Sequence, residues 1–206
     1  NLGLWAAAVA IAFGLVLGSV AALNRGKVID RIIVFFTTLA TSAPSFVLAT
    51  LLLLVFSIQL GWVPAWSAQN PNYILPVISL SMYPMAYITR LTKTSMLDAL
   101  NQDYIRTARA KGVASYKVIF KHALRNALIP VVTYVGPMVA FIITGSMVVE
   151  TIFSTGGLGS YFVTSINNRD YTLIMGVTIF LAILMVTANL ITDIVYKLID
   201  PRITFD

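Results

Sequence analysis

Cysteine is absent from this 206-residue chain, and histidine occurs once, at His122. Without cysteine there are no disulfides and no thiolate ligands for zinc or iron–sulfur clusters, and one imidazole does not make a histidine-rich metal centre. Charge is scarce as well: Asp, Glu, Lys and Arg make up 11% of the residues, against about 25% in soluble domains. Apolar residues reach 58%, so the composition excludes an ordinary soluble protein and indicates a membrane protein.

Long apolar runs occupy most of the chain. A helix needs about 20 mainly apolar residues to cross a bilayer. Five runs reach that length, at 2–23, 32–60, 74–97, 129–150 and 172–198. They predict an all-α integral membrane protein with five transmembrane helices. Pro44 lies inside the second run, where the missing backbone donor predicts a kink.

The basic side chains give the orientation of the predicted spans. Of the 14 Lys and Arg residues, all but Arg169 fall on one side of the membrane in this arrangement. The positive-inside rule makes that side cytoplasmic, which puts the C-terminus in the cytoplasm and Asn1 outside. Topology thus explains the net charge of +6, and nucleic acid is not expected as a partner.

The first residues predict that a part of the protein precedes them. Asn1 leads directly into a span, with neither Met nor a signal-like segment before it. We therefore expect a sixth transmembrane helix upstream. On this interpretation, residues 1–206 are a single transmembrane domain that is truncated at its N-terminus.

Residues 98–128, here called the basic segment, connect the third and fourth spans. The stretch "DYIRTARAK" is typical of a short helix, and Gly112 readily takes the left-handed conformation that ends one. A second helix is predicted to follow, with Ser115 as its cap. Apolar residues then repeat at helical spacing on one face. This face comprises Tyr116, Ile119, Phe120, Ala123, Leu124 and Ala127.

Three explanations of the basic segment stay open on the residues alone. It could be a solvated cytoplasmic loop whose charges only set the topology. It could be an amphipathic helix on anionic lipid headgroups, which gain about 1 kcal/mol per basic residue. It could also be a short helix that docks into a groove on a soluble partner. Small residues at the turn, Ala108, Ala110 and Gly112, would allow a partner to approach closely.

The stretch "DYIRTARAKGV…HALRNALIPVV" resembles the cytoplasmic signature loop of ABC-importer permeases, the EAA loop. Ala108 corresponds to its second Ala and Gly112 to its Gly, whereas Arg106 and Thr107 stand where the general motif has Glu and Ala. The dipeptide/oligopeptide/nickel branch commonly shares that departure. "GPMVAFIITGSMVVETIFSTGGLG" with "NNRDY", and the ending "DPRITF", are similar to the same branch. The likeness is greatest to the B-type subunit of oligopeptide and dipeptide permeases.

This resemblance implies an ABC type I importer permease fold in the bacterial cytoplasmic (inner) membrane. A second homologous permease subunit would complete the pathway within the lipid membrane. An extracytoplasmic substrate-binding protein would deliver the peptide substrate, oligopeptides in particular. Two cytoplasmic ATPase subunits would bind ATP and Mg. The chain has no G-x-x-x-x-G-K-[ST] phosphate loop, so no cofactor, metal or enzymatic activity is expected of it.

Other substrates and another class of protein stay open as alternatives. Relatives with similar membrane subunits carry dipeptides, nickel or glutathione. A secondary transporter or channel is the alternative from another class, and it predicts polar groups within the spans, which are sparse here.

The resemblance also implies two functional segments. The basic segment would be the coupling loop that sits in an ATPase groove, through residues Arg106, Thr107, Ala108, Arg109, Ala110, Lys111, Gly112, Tyr116 and His122. Residues 151–171 would form an external gate or re-entrant segment that meets the binding protein. Its candidate residues are Glu150, Gly157, Gly159, Arg169 and Asp170. Glu150 is expected at the outer end of the fourth span, where solvation at the interface or pairing with Arg169 is the alternative to a gating role.

Overall fold

The computed structural model describes residues 2–143 and 146–199, with the side chains of 192 and 195–199 left aside. These residues form helices and loops, without a strand among them. The helices are α1 Leu2–Leu23, α2 Val28–Ser42, α3 Ser45–Gln59, α4 Ile74–Leu100, α5 Asp103–Ala110, α6 Ser115–Ile143, α7 Met147–Phe153, α8 Leu158–Asn167 and α9 Tyr171–Ile199. The ending "DPRITF" lies outside the described residues.

Membrane-spanning length is reached by four of these helices, α1, α4, α6 and α9. Helices α2 and α3 pass the same test only together, and they are bent by 109° relative to each other. They form either a broken span or a re-entrant loop. The all-α membrane fold with four to five spans is therefore confirmed, and the second predicted span, 32–60, is not one helix.

The break between α2 and α3 follows from Pro44. Ala43 has an extended backbone, with φ −79° and ψ 133°, because a proline disfavours the helical region for the residue before it. Pro44 itself, at φ −58° and ψ 140°, stands just before the first residue of α3. The kink that the sequence predicts at Pro44 is thus a complete interruption of the helix.

Small residues on α1 allow it to lie against α4. A Cβ added at Gly14 would come within 2.7 Å of the Ile88 side chain, and one at Gly18 within 2.6 Å of Thr92. Close backbone approach through small residues is a usual way for membrane helices to pack. The largest buried cluster joins this pair to α6, and it contains Ala6, Ala7, Ala10, Ile88, Val131, Met138 and Ile142.

The fourth predicted span, 129–150, has different bounds in the structure. Helix α6 begins at Ser115, inside the basic segment, and ends at Ile143. A separate short helix, α7, follows, and Ser146 caps it by accepting a hydrogen bond from the amide of Val149 at 3.3 Å. Glu150 therefore does not end a span. Hydropathy did not reveal this, because the residues on both sides of the break are apolar.

Candidate functional site

The basic segment has the predicted helix–turn–helix form. Helix α5 ends at Ala110, and Gly112 follows with φ +73°. The amide of Val113 donates to the carbonyl of Ala108 at 3.1 Å, a bond typical of a helix stop with a left-handed residue. No atom lies within 4 Å of a Cβ built at Gly112. Glycine is therefore favoured here by its backbone conformation and not by lack of space.

An apolar underside holds the basic segment to the rest of the chain. Ile105 and Ala108 of α5 are buried with Val118 and Ala123 of α6, and Ala99 completes the cluster. Ala108 contacts its own chain and is not free for a partner, contrary to the expectation from its small size. Ala110 and Gly112 are exposed.

The start of α6 differs from the predicted face. Tyr116 and Phe120 belong to the predicted apolar face, yet they are 61% and 65% exposed, whereas Ala123 and Ala127 of the same face are buried. Residues 118–124 are π-helical, and the wider turn moves the buried stripe to Val118, Ala123 and Ala127. Regular helical spacing cannot anticipate that shift.

The predicted cap of α6 is also wrong by one residue. Ala114 is the capping position, with φ −55° and ψ 137°, and it provides no side-chain cap. Ser115 is the first residue inside the helix.

The outward surface of the basic segment is cationic and partly aromatic. It exposes Arg106, Thr107, Arg109, Ala110, Lys111, Gly112, Tyr116, Lys117, Phe120, Lys121 and Arg125, while His122 is half-buried. Arg106 lies 3.5 Å from Asp103, but both side chains are at least 77% exposed, so this pair adds little stability. Of the nine candidate coupling residues, seven are thus exposed, His122 is half-buried and Ala108 is buried.

The sequence did not predict an ion pair that joins α2 to α4. Lys93 Nζ of α4 lies 2.6 Å from Asp30 Oδ1 of α2, and Asp30 Oδ2 accepts the amide of Gly26 at 2.9 Å. Asp30 is only 6% exposed. The available signal was one acid within the basic stretch "NRGKVIDR", but a sequence does not show which lysine faces it.

At the opposite end of the helices, residues 146–171 form what we call the outer segment. Glu150 of α7 is 6% exposed, and its Oε2 accepts the amide of Ser160 at 2.9 Å. Burial raises the pKa of Glu150, and the amides of Ser160 and Gly159 partly oppose that rise. Because it accepts this amide, the carboxylate lies at the N-terminus of α8, where the partial positive charge of the helix end stabilises an anion.

The predicted gate residues divide into two groups. Glu150, Gly157 and Gly159 are in contact with one another. Arg169 and Asp170 follow the end of α8, about 15 Å along that helix. Of the alternatives for Glu150, pairing with Arg169 is wrong: the ion pairs within the described residues are Lys93–Asp30 and Arg106–Asp103. Asp170 instead accepts the amide of Leu173 at 3.0 Å, at the start of α9.

A cavity of about 1020 Å³ lies between the helices, and the outer segment forms part of its wall. Tyr83 of α4 and Tyr134 of α6 line it, and the ring of Tyr134 stacks on that of Tyr87 at 4.2 Å. Among the described residues that line the cavity, none is charged; hydroxyl groups such as that of Ser45 are its polar components. Such a lining offers hydrogen bonds without selecting for charge.

Residues 14–205 match the family described as binding-protein-dependent transport system inner membrane component, and the chain belongs to this family. It is thus a membrane component of a transport system.

Among curated proteins, the chain is 48% identical over 204 residues to the dipeptide transport system permease protein DppB of Bacillus subtilis (strain 168), covering 98% of this chain and 66% of that protein. It is 45% identical over 208 residues to the oligopeptide transport system permease protein OppB of Haemophilus influenzae, covering 100% and 68%. The chain therefore spans about two-thirds of the length of these relatives.

Solved structures agree with the fold. A chain of the MetNI methionine ABC transporter, described in inward-facing conformations, superposes with a TM-score of 0.73 at 19% identity, over 96% of this chain and 93% of that one. An amino acid ABC transporter gives a TM-score of 0.67 at 15% identity, over 95% and 88%. At such identities the likeness concerns the fold alone, which is that of ABC type I importer permeases.

Proposed function

We propose that this chain is one of two membrane-spanning permease subunits of an ATP-driven peptide importer. Its near-complete alignment with relatives named for dipeptide and oligopeptide transport carries the proposal. An external binding protein delivers the peptide, with oligopeptides favoured over dipeptides. The complex lies in the bacterial inner membrane, with the C-terminus of this chain in the cytoplasm.

The basic segment is the proposed contact with the ATPases, which bind ATP and Mg²⁺ on their own subunits. Its apolar underside is buried within this chain, so motion of α5 is transmitted to α4 and α6. Its outward surface exposes Arg109, Lys111 and Tyr116. A short helix with exposed side chains on one side suits a groove on a partner. These features support docking over a loop that only sets topology.

The large cavity is the proposed contribution of this chain to the pathway. Ligand cavities in proteins commonly measure about 300–1,000 Å³, and this one reaches about 1020 Å³. The described residues of its lining are apolar groups, hydroxyls and tyrosines, and none of them is charged. Peptides with differing side chains can therefore pass without a fixed counter-charge to retain them.

A single substitution in the full-length complex tests the coupling role. Ala110→Trp places a bulky side chain on the exposed end of α5, whereas a change at the buried Ala108 would disturb the chain's own packing. We expect ATP-driven peptide uptake into proteoliposomes to fall at least about ten-fold, since close docking is lost. The complex should still insert in the membrane.

The matched control is Ala68→Trp, the same exchange at an exposed position in the loop between α3 and α4. It should leave uptake unchanged. Uptake at the normal rate in Ala110→Trp would refute docking of this surface. Absence of peptide uptake by the unmodified complex, with uptake of another solute, would refute the peptide assignment.

A further inference from the structure

The Glu150 carboxylate is enclosed by backbone and has no cationic partner among the described residues. Its Oε2 accepts the amide of Ser160, and the amide of Gly159 also lies against it. The hydroxyl of Ser160 bonds back to Gly157, donating to its carbonyl at 2.8 Å and accepting from its amide at 2.9 Å. The first turn of α8 is thus organised around this carboxylate.

Two glycines make the room that the carboxylate occupies. The three atoms nearest to a Cβ built at Gly157 all belong to Glu150, among them Cδ at 2.5 Å and Oε2 at 2.7 Å. A Cβ at Gly159 would lie 2.9 Å from Glu150 Oε2 and 2.8 Å from the Cα of Met147. Cβ atoms in proteins essentially never lie within 3.0 Å of a non-bonded heavy atom, so a side chain at either glycine would force neighbouring atoms to move. At Gly157, that shift has to come from Glu150 or from the backbone of α8.

Residues next to Glu150 form part of the wall of the large cavity. Val149, its neighbour on α7, and Gly159 and Phe162 on α8 all line that cavity. Glu150 itself lines a smaller cavity of about 270 Å³, together with Thr155. The hydroxyl of Thr155 is buried and has no hydrogen-bond partner among the described residues. Moving α8 relative to α7 would therefore reshape the large cavity on its outer side.

We propose that Glu150 is a positioning residue for peptide passage: its carboxylate holds the N-terminus of α8 against α7 and so sets the outer wall of the large cavity. This inference rests on the proposed transport function. Glu150 does not touch the peptide. It acts through Gly159 and Phe162, whose places in the wall depend on the docking of α8.

The test is a double-mutant cycle in the full-length complex. Residues 1–206 contain no cysteine, so Ser165→Cys introduces a single thiol in this part of the subunit; any cysteine elsewhere in the complex is first replaced by serine. Ser165 of α8 is 1% exposed, so a membrane-impermeant maleimide should label the thiol slowly while α8 is docked. Gly157→Ala should raise the labelling rate about ten-fold and lower peptide uptake, since the methyl group displaces the carboxylate.

Removal of the carboxylate should cancel this effect. With Glu150→Ala present, Gly157→Ala has room for its methyl group, and the double variant should label no faster than Glu150→Ala alone. Gly156→Ala is the matched control: its site has φ +60° and no atom within 4 Å of a Cβ. Its strain is independent of Glu150, so its effect should add to that of Glu150→Ala.

Conservative replacements separate positioning from general loss of packing. Glu150→Gln keeps a carbonyl oxygen for the amide of Ser160 and should label at a rate near that of the parent, with most uptake retained. Glu150→Leu has similar size without an acceptor, and it should label about ten-fold faster. If Glu150→Leu fails to assemble, the Gln and Ala variants still complete the cycle.

Additive effects of Gly157→Ala and Glu150→Ala would overturn the proposal. So would slow labelling in Glu150→Leu accompanied by lost uptake, since the residue would then act without moving α8. Labelling needs no substrate and decides the docking of α8 by itself. A parent complex that takes up no peptide would refute the proposed function. A parent complex that takes up peptide, but in which the effects of Gly157→Ala and Glu150→Ala are additive, would refute this inference alone.

Discussion

The basic segment and the outer segment are both built from two helices joined by a turn with a left-handed glycine. Gly112 has φ +73° and Gly156 has φ +60°. They differ in where their charges point. The basic segment buries apolar side chains such as Ile105 and exposes its cations. The outer segment buries the carboxylate of Glu150 against its own backbone.

This difference separates two uses of charge. Exposed cations keep their hydration and add little to the stability of their own chain, so they stay available to a partner. A buried carboxylate must be satisfied within the chain, because burial without partners is costly. The basic segment thus suits docking, and the outer segment suits self-positioning.

Breaking the ion pair between α2 and α4 should have the largest effect on stability. Asp30→Ala leaves Lys93, whose side chain is 22% exposed, without its partner. We expect a loss of about 3 kcal/mol, the lower end for buried pairs, because Lys93 keeps some access to water. Denaturant unfolding of the purified complex measures this loss.

Two further variants test whether the pair itself is responsible. Asp98→Ala removes an exposed acid on α4 and should change stability by less than about 0.5 kcal/mol. Exchanging the charges, with Asp30→Lys and Lys93→Asp together, should recover part of the loss. Equal losses in Asp30→Ala and Asp98→Ala would show that the buried pair of Asp30 and Lys93 has no special role in stability.

Titration of Glu150 should have an intermediate effect. Burial raises the pKa of this carboxyl above its ordinary value of 4.5, so the folded state binds the proton more tightly than the unfolded state. Stability should therefore fall as pH rises from about the ordinary pKa through the raised one, and then level off. Each unit by which the pKa is raised corresponds to about 1.4 kcal/mol.

Melting temperatures of the parent complex and Glu150→Gln across this pH range measure the effect. Among the described residues, Tyr73 before α4 lines the same small cavity as Glu150, Tyr161 is the titratable residue of α8, and α3 contains none. The difference between the two proteins should shrink as pH falls. A difference in melting temperature that does not change with pH would mean that Glu150 keeps one protonation state throughout. Buried charge would then not distinguish the outer segment from the basic segment.

Loss of an exposed cation should have the smallest effect on stability. Arg106 makes only a 3.5 Å contact with Asp103, and both side chains are largely in solvent. Arg106→Ala should change the unfolding free energy by less than about 0.5 kcal/mol, as measured by denaturant unfolding. A loss above about 2 kcal/mol would show that the cations of the basic segment also hold the chain together.

The likeness of the two turns was only partly visible in the sequence. Gly112 could be predicted as a helix stop, because glycine after a helical pattern commonly adopts positive φ. The π-helical turn at 118–124 could not be predicted. Tyr116 and Phe120 are exposed while Ala123 and Ala127 are buried, although regular helical spacing places all four on one face. A π turn inserts one extra residue within an unbroken helix, and no composition signal marks it.

Hydropathy located the membrane segments but not their breaks. Pro44 indicated a break in the second run, and the helices on its two sides are bent by 109° relative to each other. The stretch "TGS" at 144–146 was a weaker signal for the separation of α7 from α6, and the apolar residues on both sides of it made the run read as continuous. Glu150 was consequently expected at the end of a span, with solvation at the interface or pairing with Arg169 as the alternative to a gating role.

The sequence by itself determined the membrane class, the helical content and the position of the basic segment. These depend on local composition and periodicity. A segment that crosses lipid must be apolar and must satisfy its backbone hydrogen bonds internally, and both requirements act on each segment separately. Only the tertiary structure decided which polar groups meet. Asp30 forms an ion pair with Lys93 on another helix, and Glu150 accepts a hydrogen bond from the amide of Ser160, ten residues later in the chain. Such pairings depend on the distances between packed helices, which no single segment of the sequence contains.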